Sequence, residues 1–157
     1  MAELTELEEK LAEVYGLAQA AQEATTKVAK LVADEEIASL LGRMREEAAQ
    51  TEERCEQVAG ELDGKKTAIQ DKARETKHEA EQMMQDYLGD DADGLDGLEF
   101  LIMAEAGELG HVEIVGAMNE VTREPKVQEL FEWAQPIQQR HFEQTRQAAL
   151  QLARQEA

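Results

Sequence analysis

The sequence predicts an all-α protein, an antiparallel four-helix bundle made of two helical hairpins, with an additional crossover helix between the second and third bundle helices. Three observations lead there. Ala, Glu, Gln, Leu and Arg dominate while Pro occurs only at 125 and 136, so the chain is rich in helix formers and poor in strand formers. Apolar residues recur three or four positions apart over long stretches. Short polar turns bearing capping residues separate those stretches, which folds consecutive helices back on one another. A length of 157 residues suits one domain, 1–157, with a sizeable core.

The first helix is expected over about 4–33. Its stripe runs Leu4, Leu7, Leu11, Val14, Ala18, Ala21, Thr25, Val28 and Val32, and Thr5 with Glu8 resembles a capping box at its start. Asp34 offers a cap for the second helix, about 35–62, whose stripe includes Ile37, Leu41, Met44, Ala48, Thr51, Cys55 and Val58. Asp63-Gly64 closes it. A polar segment over 66–88, weakly amphipathic through Ile69, Ala73, Met83, Met84 and Tyr87, reads as the crossover helix lying on the bundle. The acidic run at 89–97 lacks the ligand spacing of an EF-hand and reads as a solvated turn capping the next helix.

That next helix, about 95–121, carries Leu98, Ile102, Glu105, Leu109, Val112 and Gly116 on one face and Met103, Ile114 and Val121 on another. The second strip is expected to receive the crossover helix or another subunit. Gly107, Gly110 and Gly116 each weaken a helix by about 1 kcal/mol relative to alanine, so close packing or a local distortion should compensate. Pro125 suits the first turn of the last helix, about 125–155, and Pro136 should bend it.

The net charge of −19 disfavours nucleic acid and anionic membranes as partners; it favours divalent cations, though solubility is the simpler reading of so acidic a surface. Cys55 is the only cysteine, which excludes an intrachain disulfide and a thiolate zinc cluster. It falls on an apolar stripe and reads as a small buried hydrophobe. No basic leader or membrane-spanning run is present, so a cytoplasmic protein is expected. No glycine-flanked serine or phosphate-cradling loop suggests nucleophilic catalysis.

The chemistry concentrates at mid-bundle. Glu105 interrupts an apolar stripe, and a carboxylate buried there must neutralise, pair or bind a metal. Ala18, Glu47 with Thr51, Glu105 to Glu113, and Gln138 with His141 should meet in one layer of the four long helices. Carboxylates with imidazole suit iron or manganese, and two-metal bundle sites draw a glutamate from each of two helices and Glu-x-x-His from the other two. Here the corresponding pairs read Met44-x-x-Glu47 and Gln138-x-x-His141, with Ala18 on the first helix, so the pattern is incomplete. The candidate metal ligands are Glu47, Glu105, Glu113 and His141, around a reduced site; Glu108 and Glu113 flank the stripe and His111 points away. The competing expectation is a metal-free dimeric bundle acting as a structural or protein-interaction module.

VYGLAQAAQ early in the chain, GKKT at 64–67 and HVEIVGA at 111–117 resemble motifs of the YciE/YciF-type ferritin-like family. The resemblance spans nearly the whole chain and implies a ferritin-like bundle, commonly a homodimer, with a metal centre and a stress-linked role. It matches Glu113 to the family's signature glutamate and puts Glu47 in the acidic region of the second helix. Ala18 and Met44 depart from the glutamate and histidine the family carries there, which weighs against oxidase or iron-storage chemistry. Were the chain an enzyme, the reaction would be oxygen- or peroxide-dependent iron oxidation with Tyr15 as a redox neighbour.

Overall fold

The computed structural model describes residues 2–157, which form five α-helices: α1 (Glu6–Leu31), α2 (Glu35–Glu61), α3 (Lys66–Tyr87), α4 (Gly94–Thr122) and α5 (Pro125–Glu156). No strand occurs among the described residues, and none of the helices is long and apolar enough to cross a membrane. Local chemistry sets the helix starts. Thr5 and Glu8 form a capping box on α1, Asp34 accepts from the N–H groups of Glu36 and Ile37, and Asp93 with Asp96 forms a second capping box on α4. Gly64, at φ 72°, turns the chain from α2 into α3.

Side-chain contacts define the helix directions. Lys65, just past the end of α2, reaches Glu8 near the start of α1 at 3.0 Å, and Gln19 and Gln22 of α1 both donate to Glu52 of α2. These two helices are therefore antiparallel. Gly94 and Gly97 at the start of α4 lie against Leu31, Val32 and Val28 at the end of α1, so α4 also runs against α1. α5 runs against α2, since Thr145 meets Met44 and His141 meets Glu47. The packed neighbours are α1 with α2, α2 with α5, α5 with α4 and α4 with α1, a square of four helices in which α2 and α4 point the same way.

The fifth helix carries the chain back between them. α3 runs parallel to α1, with Lys77 beside Glu23 and Ala73 against Gly16, and packs on α1 and more lightly on α2. Only its small and apolar residues, Ala68, Ile69, Ala73 and Met84, are buried, in keeping with a helix lying on the bundle. The outer strip of α4 receives nothing within the chain: Met103, Ile114 and Val121 are all exposed.

The interior divides in two. One apolar cluster joins Leu11, Val14, Cys55, Ile69, Val112 and Leu130; the other joins Val28, Leu41, Met44, Leu98, Leu101 and Ala148. Burying each large aliphatic side chain stabilises the fold by roughly 1.5–3 kcal/mol. Between the clusters lies a layer of polar residues. α5 continues through Pro136, which sits on the exposed face, so the Glu132 carbonyl deprived of its helical donor is on the solvent side.

The glycines separate by role. A Cβ on Gly116 would stand 2.3 Å from the Phe131 ring, so this glycine admits the ring; Gly107 and Gly110 meet nothing within 4 Å, and packing does not compensate them. At Gly16 a Cβ would lie 2.3 Å from the Ala73 carbonyl oxygen, a backbone atom of α3. Gly16→Ala is therefore expected to lower stability in urea denaturation by about 1–3 kcal/mol, as overpacking does. Gly107→Ala should instead raise it by up to about 1 kcal/mol. Equal effects would mean that α3 does not press on α1 as described.

Candidate functional site

Three helices contribute residues at i, i+3 and i+7 to the layer, the spacing that holds side chains on one helical face. α2 supplies Met44, Glu47 and Thr51; α4 supplies Glu105, Glu108 and Val112; α5 supplies Gln138, His141 and Thr145. Because α2 and α5 are antiparallel, their sets pair in reverse order. The Thr145 hydroxyl donates to the Met44 sulfur at 3.6 Å, and His141 Nε2 lies 2.9 Å from Glu47 Oε1. α1 adds only the Ala18 methyl, which leaves room at the centre: Ala18, Thr51, Glu108 and Gln138 border an interior void of about 10 Å³.

His141 is the hub. Its ring is 1% exposed, and each nitrogen faces a carboxylate: Nε2 faces Glu47, and Nδ1 lies 3.5 Å from Glu105 Oε1. A neutral imidazole has one N–H and could satisfy one of them; the imidazolium satisfies both. Burial works against the charged ring, but hydrogen bonding and attraction from Glu105, then Glu47, outweigh it, and the His141 pKa is raised above 6.5. The second Glu47 oxygen is bound by the exposed guanidinium of Arg140, next to His141 in sequence. Burial of Glu47 is countered by Arg140 and His141, and its pKa falls below 4.5.

The inner edge of the layer is an acid pair. Glu105 and Glu108 are both buried one turn apart on α4, with the Gln138 amide beside them. Glu105 Oε2 and Gln138 Nε2 have no hydrogen-bond partner. Desolvation, the neighbouring Glu105 charge and a side-chain hydrogen bond with Glu105 push the Glu108 pKa well above 4.5. Glu47 is thus flanked by His141 and Arg140, and Glu105 by His141 and Glu108.

Of the four candidate ligands, Glu47, Glu105 and His141 come together, whereas Glu113 does not join them. Glu113 is exposed because the buried face of α4 runs through Leu98, Leu101, Glu105, Glu108, Val112 and Val115, turned away from it. This rotation brings in Glu108, expected at a flank. His111 does point away, pairing with Glu13 at 3.3 Å. Tyr15 lies in an apolar cluster near Gln70, Glu52 and Glu56, with its pKa raised by burial, and none of the layer's residues is among its partners. Arg140 was missed as a member of the layer; the only available signal was a cation adjacent to His141.

No protein-family model, no curated protein and no solved structure matches the chain. The layer is therefore read on its own geometry. A two-metal centre needs donors that converge, and here Glu47 and Glu105 approach opposite nitrogens of one ring, which stands between them. Among the described residues no three His, Cys, Asp or Glu side chains converge as ion ligands. Ala18, Met44 and Gln138 stand where further acid or imidazole would be required. The residues present do not fit a two-metal site.

The shifted groups make stability depend on pH. Glu108, raised above 4.5, keeps a proton in the folded chain that the unfolded chain releases, so its contribution declines as pH rises from about 4.5 through the folded value. His141 contributes fully below 6.5 and loses that contribution as pH rises through its folded value. Glu47 contributes above 4.5 and loses it as pH falls through its folded value. From these three groups the thermal midpoint should therefore peak near pH 4.5 and decline above it. Glu108→Gln, which removes one ionisation, should flatten the alkaline decline by up to about 1.4 kcal/mol per pH unit. Parallel declines in both proteins would show that Glu108 is not held protonated.

Proposed function

We propose that this chain is a metal-free, ferritin-like bundle that acts as a dimeric interaction module, with the Glu47–His141–Glu105 chain standing where related bundles carry metal. The observation that carries this reading is the bridged imidazole. Both nitrogens of His141 already face carboxylates, and Arg140 occupies the remaining oxygen of Glu47. An ion at Glu47 would have to displace two cationic side chains.

The ferritin-like arrangement is supported by the two antiparallel hairpins, by the common direction of α2 and α4, and by α3 as the long connection between them. Together with the resemblance of its motifs, this favours kinship with the YciE/YciF-type family. The surface offers a dimer interface on α4, where Ile114 and Val121 are 43% and 86% exposed. Two large aliphatic residues left facing water two turns apart favour a second copy as their cover. Sedimentation equilibrium is expected to give a dimer for the wild-type chain and a monomer for the double variant Ile114→Glu, Val121→Glu. A monomeric wild type would remove the dimer from this reading.

A second reading keeps a single iron or manganese ion, and the unpartnered Glu105 Oε2 is what favours it. Glu105, Glu108 and His141 Nδ1 would hold the ion, with hard oxygen and nitrogen donors of the right type. Elemental analysis separates the two on untagged protein expressed with iron and manganese supplied and purified without chelator. The metal-free reading predicts less than about a tenth of an ion per chain, because the donors do not converge. Near-stoichiometric iron or manganese, lost in Glu105→Gln, would overturn it.

A further inference from the structure

α3 leans on α1 and makes no extensive contact with α4, and the gap between α3 and α4 is an open cavity of about 280 Å³. That volume lies near the lower bound for small-molecule sites. Its floor is Leu17, Ala20 and Ala21 of α1. Ala80, Met83 and Tyr87 form the α3 wall, and the α4 wall runs from Phe100 and Met103 through Gly107 to Glu108 and His111. Met83 and Met103, 66% and 51% exposed, stand at the rim as adaptable apolar side chains. Tyr87 and Phe100 form an aromatic pair with centroids 5.6 Å apart.

Of the ionisable groups lining this cavity, Glu108 alone is buried. His111 is tied to Glu13 and to the Gly107 carbonyl. Glu108 is 8% exposed, borders the cavity on one side and the central layer on the other, and has no cationic neighbour among the groups acting on it. An apolar trough ending in a buried carboxyl without a cation selects for a ligand with an apolar body and a positive head.

We infer that the α3–α4 cavity is a binding site for a small amphiphilic organic cation, an alkyl or aryl ammonium, whose charged head meets Glu108 and whose body lies along the methionine and aromatic walls. Charge complementarity selects this occupant. An anionic amphiphile would meet both the carboxyl and the net charge of −19. A bare divalent ion would have to lose water among apolar walls with a single carboxyl to replace it. A helix from a second copy would bring another strongly acidic surface and would need a basic residue at one particular position. An ammonium bound at Glu108 donates N–H bonds to its carboxyl and gains from the aromatic faces. The groups acting on Glu108 are Glu105 on α4 and the Gln138 amide on α5, and His111 and Tyr87 share the cavity lining with it. This inference rests on the metal-free reading, because an ion held by Glu105 and Glu108 would occupy the same carboxyl; elemental analysis tests that reading separately.

The test is isothermal titration of the 157-residue chain with octylammonium, 1-octanol and octanoate at neutral pH and moderate salt. One octylammonium per chain should bind at least about tenfold tighter than 1-octanol, as a charge-assisted contact requires, with octanoate weakest. Glu108→Gln should reduce octylammonium to the level of 1-octanol. Gly107→Leu, whose side chain enters open space in the cavity wall, should weaken both octylammonium and 1-octanol while helicity is retained. Undiminished octylammonium affinity in either variant, or many weak sites that vanish with salt, would overturn the inference. So would a dimer of the wild-type chain that Gly107→Leu, rather than the Ile114 and Val121 changes, disperses, because the cavity would then be an interface between copies.

Discussion

One imidazole ring aligns three helices. His141 is fully buried between Glu47 of α2 and Glu105 of α4, and a buried carboxylate left without its partner is costly enough to exclude most other rotations of these helices. If α4 turned by one residue, about 100°, Glu105 would leave Nδ1 and an apolar neighbour would take its place. Arg140 covers the outer oxygen of Glu47, and Glu108 stands beside Glu105 on the inner side. Apolar packing above and below the layer supplies most of the stability, whereas the layer specifies rotation and height. Two hairpins of similar amphipathic helices would otherwise pack in several near-equivalent registers.

The position of α3 follows from its composition and from one glycine. It has too few apolar residues to occupy the core, and Gly16 allows its backbone to settle against α1. By committing to α1 and α2 it leaves the side of α4 uncovered, and this asymmetry opens the cavity behind Glu108. The same carboxyl therefore belongs to two environments. Toward the core it stands beside Glu105 and Gln138, and toward the cavity it is the one buried ionisable group in an apolar lining.

Much of the fold was legible in the sequence because its determinants are local. The periodic stripes placed each helix to within about two residues of its observed ends, and Thr5, Asp34 and Asp93 mark starts through contacts a few residues away. Glu105 and His141 were legible for a related reason, since polar residues on an apolar stripe stand out against it. α4 was the exception. Leu98, Leu101, Val112 and Val115 face inward while Met103, Ile114 and Val121 face outward, so the helix is apolar on nearly all sides and its stripe had no single direction. A modest rotation was enough to expose Glu113 and bury Glu108.

The sequence by itself determined the helices, their caps, the hairpin connections and the presence of acid and imidazole at mid-bundle, because each depends on spacing within one helix or across one turn. Tertiary structure alone decided which carboxylates share the core, that Arg140 joins His141 on Glu47, and that α3 leaves a cavity beside α4. Those outcomes depend on how helices rotate against one another, which is a balance of packing and charge pairing between residues as far apart as Glu47 and His141, and no local pattern records it.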